Sequence, residues 1–447
     1  MTYTECVALL TALGHELRGM KFDLDGVCSA LDALGHPERA YPTVIVAGTN
    51  GKGSTCSMLA SILDSAGYRT GLYTSPHLVR VNERISVSGH EISDEAFAAA
   101  FSEAWQSVEE RIRQGALGRR LSFFEVLTAV AFLHFARMRV DVAVLEVGLG
   151  GRLDATNVTE PRVAIITNVD LDHQEFLGNT RALIAREKAG VIRHGRPAIS
   201  GCEYPEARET VRQYCREVGA EFLDLQEFAH AANLRDFDGW FVFDLKLDGD
   251  TFKDLAPALA GKFQVWNAMA AVAGAWRLRR EGFSVPNTAI SAGLRNVRWP
   301  GRLQAIYARP LVLLDGAHNP AGARELAGFV REHFQGKPLR LVYASMRDKS
   351  IEEISAALFP LAAEVYLTRT DVMRSASPEE AAERAIFSAG RLIIEPDPVR
   401  ALERACGASN DDDVVLVAGS LYLVGAVQQA IQEGKFSLEP SGASRAR

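Results

Sequence analysis

The sequence lacks paired cysteines. Its six cysteines are scattered along 447 residues, and no two of them form a C-x-x-C pair. This argues against a zinc site of the thiolate type and against a disulfide scaffold, and it predicts the reduced thiols of a cytoplasmic protein. The amino terminus has no basic segment followed by an apolar one, and no run of about 18 apolar residues is present. We therefore expect neither a secretory signal nor a membrane span.

An excess of positive charge is also missing. The formal net charge of −7 argues against a broad nucleic-acid surface, so no nucleic-acid partner is expected. No repeat of solenoid length is present, and no serine or cysteine lies in a pattern typical of a covalent nucleophile. The apolar share of 47% is ordinary for a globular protein. A chain of this length is sufficient for two or three domains, each with its own core.

A glycine-rich segment with a lysine follows the first apolar run. The segment reads Val46-Ala47-Gly48-Thr49-Asn50-Gly51-Lys52-Gly53-Ser54, and a helical pattern of apolar residues comes after it. Glycines let backbone amides close on an anion, and a lysine lies along phosphate oxygens. Against the general pattern G-x-x-x-x-G-K-[ST], Val46 replaces the first glycine and Gly53 separates the lysine from Ser54. The sequence predicts a nucleoside triphosphate site, with an ordinary glycine turn as the alternative.

Short apolar runs alternate with helical patterns along the chain. The runs cover residues 43–47, 140–147, 163–169, 311–314, 339–344, 364–367 and 414–418. Runs buried on both faces and separated by helices predict parallel α/β sheets. Asp-Gly pairs bracket residues 240–247 and predict a small antiparallel hairpin. The pattern breaks at Pro300-Gly301, so we predict domains over 1–296 and 303–433, a hinge over 297–302 and a flexible tail over 434–447.

Polar residues follow several of the apolar runs, where strands are expected to end. They include Glu146, His173 with its neighbouring aspartates, and Asp315 with His318. In open parallel sheets, ligands bind beyond the carboxyl ends of the strands, so these residues predict one shared site. Glu146 follows a strand that is expected beside the phosphate loop, a usual position for the carboxylate that holds nucleotide-bound Mg²⁺.

Residue type alone leaves three of these assignments open. The alternative to a metal-binding role for Glu146 is that its carboxylate caps or stabilises a turn. Mg²⁺ prefers oxygen ligands, and a histidine after a strand is more often a satisfied polar residue than a ligand, so His173 is ambiguous. Lys188 stands in a helical pattern and is by default a solvated lysine. Its ammonium group cannot ligate a cation, so residue type alone gives it no role in metal binding.

Taken together, these motifs resemble the folylpolyglutamate synthase/dihydrofolate synthase family, a branch of the Mur-ligase group of ADP-forming amide ligases. The variant lysine loop is the form that this family uses. The matching segments follow the family's order from residue 48 to 422: Gly48-Thr49-Asn50-Gly51-Lys52-Gly53-Ser54, Thr74-Ser75-Pro76-His77-Leu78, 145–157, Leu171-Asp172-His173-Gln174, Glu187-Lys188-Ala189-Gly190, Phe263-Gln264-Val265-Trp266-Asn267-Ala268, Trp299-Pro300-Gly301-Arg302, Asp315-Gly316-Ala317-His318-Asn319-Pro320 and Gly419-Ser420-Leu421-Tyr422.

The resemblance implies a fold and a set of ligands. The implied fold is a P-loop NTPase-like parallel-sheet domain joined to a smaller Rossmann-like C-terminal α/β domain, with ATP in the cleft. The implied nucleotide-binding residues are Thr49, Asn50, Gly51, Lys52, Gly53, Ser54, Asn267, Arg302 and Asp315. Ser75, Glu146 and His173 would ligate one or two Mg²⁺ ions. Lys188 would be carbamylated, and the implied catalytic residues are Lys52, Lys188 and His318.

The implied activity is ATP-dependent amide synthesis. A carboxylate is a poor electrophile, so the γ-phosphoryl group of ATP would be transferred onto it while Mg²⁺ and Lys52 neutralise the charge. The α-amino group of L-glutamate would then attack the acyl phosphate and release phosphate. Because acyl phosphates hydrolyse in water, the domains are expected to close about the hinge. The family default is a monomer.

The resemblance also indicates which carboxylic acid is activated. Family members that carry both activities resemble this chain over residues 150–157, which favours dihydropteroate and reduced folates as substrates over reduced folates alone. Segments that lie near dihydropteroate in such members match Phe22, Asp23, Leu24, Ser122, Phe123, Phe124, Glu125, Leu153, Asp154 and Ala155. Phe123 and Phe124 have an equally good interpretation as helix-core aromatics.

Two further alternatives remain at this point. A ligase of cell-wall precursors would share the phosphate loop and the fold, although residues 74–78 and 299–302 favour the folate branch. A regulatory P-loop ATPase would bind nucleotide without making a product. The set of Ser75, Glu146, His173 and Lys188 argues against such a binding module.

Overall fold

The computed structural model describes residues 1–14, 23–387 and 390–437. Phe22 and residues 438–447 of the predicted tail lie outside this part of the chain. The described residues form two compact units. The N-terminal unit contains Met1–Arg235, Phe241–Ala258 and Gln264–Arg298, and the C-terminal unit contains Asp236–Trp240, Leu259–Phe263 and the chain from Trp299 onward. None of the helices in the described ranges combines the length and apolar character needed to cross a membrane.

Eight strands of the described N-terminal unit form one sheet in the order β4-β3-β2-β5-β1-β6-β7-β8. Their bounds are β1 Thr43–Ala47, β2 Thr70–Tyr73, β3 Ile85–Val87, β4 His90–Glu91, β5 Val142–Glu146, β6 Val163–Ile166, β7 Pro197–Ser200 and β8 Glu221–Asp224. Neighbours from β2 to β8 are parallel, and β3 is antiparallel to both of its partners. Strand β1 lies between β5 and β6 and is buried throughout, which explains its continuous apolar run.

Helices connect these strands. Their bounds are α1 Tyr3–Ala12, α2 Asp25–Ala33, α3 Lys52–Ser65, α4 Asp94–Arg113, α5 Phe123–Met138, α6 Gln174–Leu177, α7 Arg181–Ala189, α8 Pro205–Val218 and α9 Leu225–Phe228. Side chains of Ser93, Ser122 and Thr180 cap the amino ends of α4, α5 and α7. By contrast, α3 has no side-chain cap, and Gly51 precedes it with a φ of 80°. No side chain therefore caps the backbone amides at the amino end of α3, where the phosphate loop joins the helix.

A three-stranded antiparallel sheet follows, where the sequence predicted a hairpin. Its strands are β9 Ala229–Phe237, β10 Trp240–Leu247 and β11 Asp250–Leu255, in the order β11-β10-β9. Both Asp-Gly turns have positive φ at the two residues, as hairpin turns require. Helices α10 Phe263–Arg280 and α11 Asn287–Asn296 complete this part of the chain.

The C-terminal unit contains a second α/β sheet, whose described strands have the order β12-β13-β17-β14-β15-β16. The strands are β12 Gln304–Ala308, β13 Leu311–Leu314, β14 Leu339–Tyr343, β15 Glu364–Leu367, β16 Arg391–Ile394 and β17 Val414–Ala418. The helices are α12 Pro320–His333, α13 Ile351–Leu358, α14 Pro378–Arg384, α15 Pro398–Gly407 and α16 Leu421–Gln432. Only β12 is antiparallel to its neighbour among these described strands. The predicted fold class of two parallel α/β sheets is confirmed.

Two details of the predicted domain bounds differ in the structure. Residues 236–240 and 259–263 group with the C-terminal unit, because Gly261 donates a backbone hydrogen bond to Gly239 (2.8 Å) and Gly239 lies against Phe329. At the other end, Phe436 is buried, with its ring edge-on to Tyr307 at 5.7 Å. The chain is thus packed as far as this residue, inside the segment predicted as a tail.

Helix α11 crosses α3 at a glycine. A Cβ atom on Gly293 would lie 2.4 Å from the Cα atom of Ile62, closer than any real side chain approaches. The hydroxyl of Ser61 donates a hydrogen bond to the Gly293 carbonyl at 2.7 Å. Because α3 begins at the phosphate loop, this crossing holds the helix behind the site.

We expect Gly293→Ala to lower the free energy of unfolding of the N-terminal unit by about 1–3 kcal/mol, because the methyl group must push two helix backbones apart. Calorimetric unfolding of the purified protein measures the change. Gly328→Ala is the matched control, since Gly328 lies in α12 with open space around the added Cβ. Equal effects of the two substitutions would contradict this account of the crossing.

Candidate active site

The phosphate loop connects the central strand β1 to α3. Gly51 has positive φ, and a Cβ atom there would lie 2.2 Å from Oδ1 of Asn267, so the position admits only glycine. The ammonium group of Lys52 donates hydrogen bonds to the carbonyls of Gly48 and Thr49, both at 3.1 Å. The first amides of α3 have no acceptor within the helix and no side-chain cap. This is the arrangement in which helix amides and a lysine face an anion.

Residues 167–170, which follow β6 and are called the clamp segment below, fix the backbone of the phosphate loop. Thr167 donates its hydroxyl to the Asn50 carbonyl at 2.6 Å. The amides of Asn50 and Thr49 donate to Oδ1 and the carbonyl of Asn168, at 2.8 and 3.0 Å. The Thr49 hydroxyl donates to the Asp170 carbonyl (3.1 Å) and accepts from the Asp170 amide (3.0 Å). In this conformation the Thr49 side chain and two loop amides are thus engaged within the protein.

Two of the predicted metal ligands lie side by side. The Ser75 amide donates a hydrogen bond to Oε2 of Glu146 at 3.0 Å, and Glu146 is buried. Strand β5 ends at Glu146 in register with Val46 of β1, so the carboxylate lies beside the start of the phosphate loop. The serine hydroxyl and the carboxylate are oxygen donors of the type that Mg²⁺ prefers.

The third predicted ligand follows the clamp segment. His173 has a φ of 50° and precedes α6. Its amide donates to Oδ1 of Asp172 at 2.9 Å, and its Nε2 lies 3.9 Å from Oδ2 of the same residue. Asp172 is one of the aspartates next to His173 that the sequence placed in the shared site, although it was not predicted as a metal ligand. The structure therefore adds a carboxylate next to this imidazole.

Lys188 is not a solvated helix lysine. It is only 5% exposed near the carboxyl end of α7, and its ammonium group donates a hydrogen bond to the Gly48 carbonyl at 2.8 Å. Burial lowers the pKa of Lys188 from 10.5 to about 7, and the charge of Lys52 acts in the same direction. Asp172 and Asp154 oppose this shift. Near pH 7 the Lys188 side chain that lies against the phosphate loop therefore loses its proton far more readily than an ordinary lysine.

Asp154, predicted to contact a pterin, occupies the centre of its own loop. Oδ2 accepts hydrogen bonds from the amides of Gly148 (3.0 Å) and Leu149 (3.1 Å). Oδ1 accepts from the amide (2.9 Å) and hydroxyl (2.6 Å) of Thr156. Burial raises the pKa of this carboxyl group. Asp154 thus fixes the conformation of residues 148–156, while its neighbour Ala155 is buried and Leu153 is half-buried.

The two aromatic residues at the start of α5 differ. Phe124 is buried against Tyr73 at 5.7 Å between ring centroids, and a Cβ atom on Gly148 would touch its ring. Phe123 is half-buried, and the Arg84 guanidinium group lies over its ring at 5.2 Å. The structure therefore gives Phe124 a core role and leaves Phe123 as the aromatic ring with an accessible part.

An arginine that the sequence did not indicate connects two of the predicted pterin segments. Arg119 donates to both oxygens of Glu125 at 2.8 Å and to Oδ1 of Asp23 at 3.0 Å. Glu125 also accepts from the Ser122 amide at 2.7 Å as part of a capping box. Leu24 follows directly as the residue that precedes α2. Asp23 and the start of α5 are therefore adjacent, whereas Phe22 lies outside the described residues.

The remaining predicted residues fall into two separate groups. Within the N-terminal unit, Asn267 donates to Gln264 at 2.9 Å, and Gln264 donates to the Ser54 hydroxyl at 3.3 Å. Within the C-terminal unit, Asp315 accepts from the amides of Leu303 (2.9 Å) and Ala317 (2.8 Å).

Arg302 and His318 both lie near Asp315 in the C-terminal unit. Burial raises the pKa of Asp315 and the Arg302 charge partly offsets that shift. A Cβ atom on Gly316 would lie 2.3 Å from the Arg302 guanidinium group, so a side chain at this position would displace Arg302. His318 donates from Nδ1 to the Gly316 carbonyl at 2.8 Å. The three predicted residues therefore form one cluster after β13.

Comparison with known proteins agrees with this arrangement. The family model of the Mur ligase middle domain matches residues 46–275, and that of the Mur ligase glutamate ligase domain matches residues 301–421. The fold and the site therefore define a Mur-type ligase, an enzyme of the ADP-forming class, and the alternative of a regulatory ATPase is set aside.

Relatives over nearly the whole chain narrow the class. The dihydrofolate synthase/folylpolyglutamate synthase of Bacillus subtilis is 34% identical over 93% of this chain and 96% of its own length. The structure of Escherichia coli FolC in complex with DHPP and ADP has a TM-score of 0.87 at 32% identity and covers 98% of this chain and 99% of that one. The bifunctional enzyme of Yersinia pestis, complexed with AMPPNP and Mn ion, has a TM-score of 0.84 at 32% identity, with coverage of 97% and 98%. The chain belongs to the dihydrofolate synthase/folylpolyglutamate synthase family, which confirms the resemblance.

The buried Lys188 predicts a pH dependence of stability. Between pH 7 and 10.5 the unfolded chain holds a proton at Lys188 that the folded protein has lost, so the free energy of unfolding rises with pH across this window. Below pH 7 both states are protonated and the dependence ends. We expect the stability of the wild-type protein relative to Lys188→Met to rise by about 1 kcal/mol per pH unit within the window. Urea unfolding in carbon-dioxide-free buffer measures it, and parallel pH profiles of the two proteins would contradict the assignment.

Proposed function

We propose that this protein joins L-glutamate to dihydropteroate and to reduced folates, using ATP and Mg²⁺, through an acyl-phosphate intermediate. The observation that carries the proposal is the set of groups around the phosphate loop, namely the Ser75–Glu146 pair and the buried Lys188. Relatives named dihydrofolate synthase/folylpolyglutamate synthase over nearly the whole chain support both activities. The monomeric state and cytoplasmic location stay predictions.

The donor set fits a hard divalent cation. The Ser75 hydroxyl and the Glu146 carboxylate supply oxygen atoms beside the phosphate loop, with the His173 imidazole as the proposed third ligand. Such an ion would neutralise charge on the triphosphate. The buried, hydrogen-bonded Glu146 stays oriented for this role because the Ser75 amide holds one of its oxygens.

The phosphates are proposed to bind at the amino end of α3. Since the amides of Thr49 and Asn50 donate to Asn168, the phosphate-facing donors are those of residues 51–54 together with the Lys52 ammonium group. Thr49 and Asn50 then act by shaping the loop. Asn267 lies against Gly51 and so is placed near the bound nucleotide. The roles predicted for Arg302, Asp315 and His318 stay predictions.

Lys188 is proposed to act as a carbamate. A neutral primary amine adds to the carbon of CO₂ and loses a proton, which leaves an anionic N-carboxylate with two oxygen atoms. The depressed pKa provides the neutral amine near pH 7. The charge of Lys52 nearby favours the anionic product, and the carbamate oxygens would suit a metal-bound nucleotide.

The proposed pterin site lies near the start of α5 and residues 148–156. Phe123 has a ring face for stacking, and Asp154 keeps the neighbouring loop in place. Arg119 ties Asp23 to Glu125 at the same end of the helix. Ser122, Leu24, Leu153 and Ala155 are proposed to line this site.

ADP release tests the function directly. Purified protein with MgATP is expected to release ADP only when L-glutamate and a pteroyl acid are both present, with dihydropteroate and with tetrahydrofolate alike. Turnover with tetrahydrofolate alone would make it a monofunctional folylpolyglutamate synthase. ADP release at the same rate with and without glutamate and either acid would overturn the proposal. Lys52→Ala serves as the background control, because it removes the positive charge proposed to lie at the phosphates.

Removal of carbon dioxide tests the carbamate. We expect turnover to fall in carbon-dioxide-free buffer and to return on addition of bicarbonate, and Lys188→Ala to be inactive in both. Isotope-labelled bicarbonate should give a carbamate resonance in the NMR spectrum of the wild-type protein that is absent from Lys188→Ala. Undiminished turnover of Lys188→Ala would rule out the role.

A further inference from the structure

The clamp segment contains an aspartate whose backbone and side chain together connect three parts of the proposed active site. Asp170 is 8% exposed, and its backbone exchanges two hydrogen bonds with the hydroxyl of Thr49 in the phosphate loop. Its Oδ1 accepts from the Leu171 amide at 2.9 Å, which fixes the turn that leads to His173. The same oxygen accepts from Nε of Arg181 at 2.9 Å. Asp170 therefore contacts the phosphate loop through its backbone, and the His173 turn and helix α7 through its side chain.

Arg181 is the first residue of α7 and is held on its other side as well. Its guanidinium group stacks on the ring of Tyr204 at 3.6 Å, and Nη1 donates to Glu206 at 3.3 Å. Charge-assisted hydrogen bonds of this kind are stronger than neutral ones, and stacking restricts the rotamers of the arginine. The amino end of α7 is thus fixed relative to Asp170.

The other end of α7 carries Lys188. It follows Arg181 by seven positions, which is two helical turns, so both side chains lie on one face. The last turn packs closely on a loop, because Arg152 donates its amide to the Glu187 carbonyl at 2.8 Å and a Cβ atom on Gly151 would lie 2.8 Å from the Lys188 carbonyl. Since a helix of this length is rigid, its position at Arg181 determines where the Lys188 amine meets Gly48.

We propose that Asp170 and Arg181 are positioning residues of the reaction, which together set the His173 turn and the Lys188 helix against the phosphate loop. The inference rests on the proposed function for its chemistry, because it assumes that His173 and Lys188 serve the metal-bound nucleotide. Neither residue needs to touch substrate. The loss of the pair should loosen metal binding and leave the nucleotide contacts of α3 in place.

Helix α7 offers a matched control. Arg186 pairs with Glu217 at 2.6 Å and lies over the ring of Tyr214 at 4.8 Å. Like Arg181, it is an arginine of α7 with a carboxylate partner and a stacked tyrosine, but these two partners, Glu217 and Tyr214, belong to α8 and not to the clamp segment. Arg186→Gln should cost comparable stability without moving the site.

The test is Mn²⁺ binding in the presence of AMPPNP, followed by electron paramagnetic resonance. We expect Arg181→Gln to raise the dissociation constant of Mn²⁺ by about 10-fold, as removal of groups behind metal ligands does, and Arg186→Gln to stay within about 2-fold of the wild type. Asp170→Asn should resemble Arg181→Gln, and the loss in the double variant should be smaller than the sum of the two single losses, since both substitutions weaken the Asp170–Arg181 pair. Arg181→Lys, which keeps the charge, should recover part of the affinity.

Equal Mn²⁺ dissociation constants for Arg181→Gln and Arg186→Gln would overturn the proposal, and so would a double variant whose loss is the sum of the two single losses. The failure of the proposed function has a separate signature. If the wild-type protein makes no glutamate adduct but Arg181→Gln still binds Mn²⁺ more weakly than Arg186→Gln, the positioning role stands and the assigned reaction falls.

Discussion

The hydrogen bonds between the phosphate loop and the clamp segment are the constraint on which the rest of the site depends. A loop with glycines at 48, 51 and 53 has many accessible conformations, so its backbone must be fixed before it binds an anion. The groups that hold the loop belong to the clamp segment, which follows the neighbouring parallel strand β6. They lie close to the loop because β1 and β6 end at the same edge of the sheet. Strand order therefore produces the preorganised dipoles that phosphoryl transfer requires.

The same edge of the sheet concentrates buried charge. Lys52 and Lys188 both donate to the Gly48 carbonyl, and the charge of Lys52 helps to lower the pKa of Lys188. When both are protonated, the two ammonium groups repel each other, and because Lys188 is buried, water screens that repulsion only in part. Loss of the Lys188 proton relieves this repulsion, and a phosphate bound beside the two side chains would also relieve it. The fold thus holds the site in a state that is less favourable without an anion than with one.

The sequence allowed the sheets, the phosphate loop and the residues at the strand ends to be predicted, because those features depend on local patterns such as the apolar run of β1. It did not reveal the Thr49–Asp170 contact, since these residues are 121 positions apart and no local pattern pairs one segment with the other. Arg119 was missed for the same reason, because its partner Asp23 lies 96 positions away. The grouping of residues 236–240 with the C-terminal unit likewise depends on packing against Phe329, which no periodicity indicates.

Asp154 shows why a match to a family motif does not by itself give a residue its role. A carboxylate has about four lone-pair positions, and in the described structure Asp154 accepts from four donors of its own loop. No acceptor capacity is then left for a pterin N–H group in this conformation. Pterin binding at the proposed site would require either that the loop opens to release one of its amides or that backbone groups held by Asp154 recognise the pterin. In both cases Asp154 acts through the shape of residues 148–156, so we expect a substitution of Asp154 to alter the loop before it alters any direct contact.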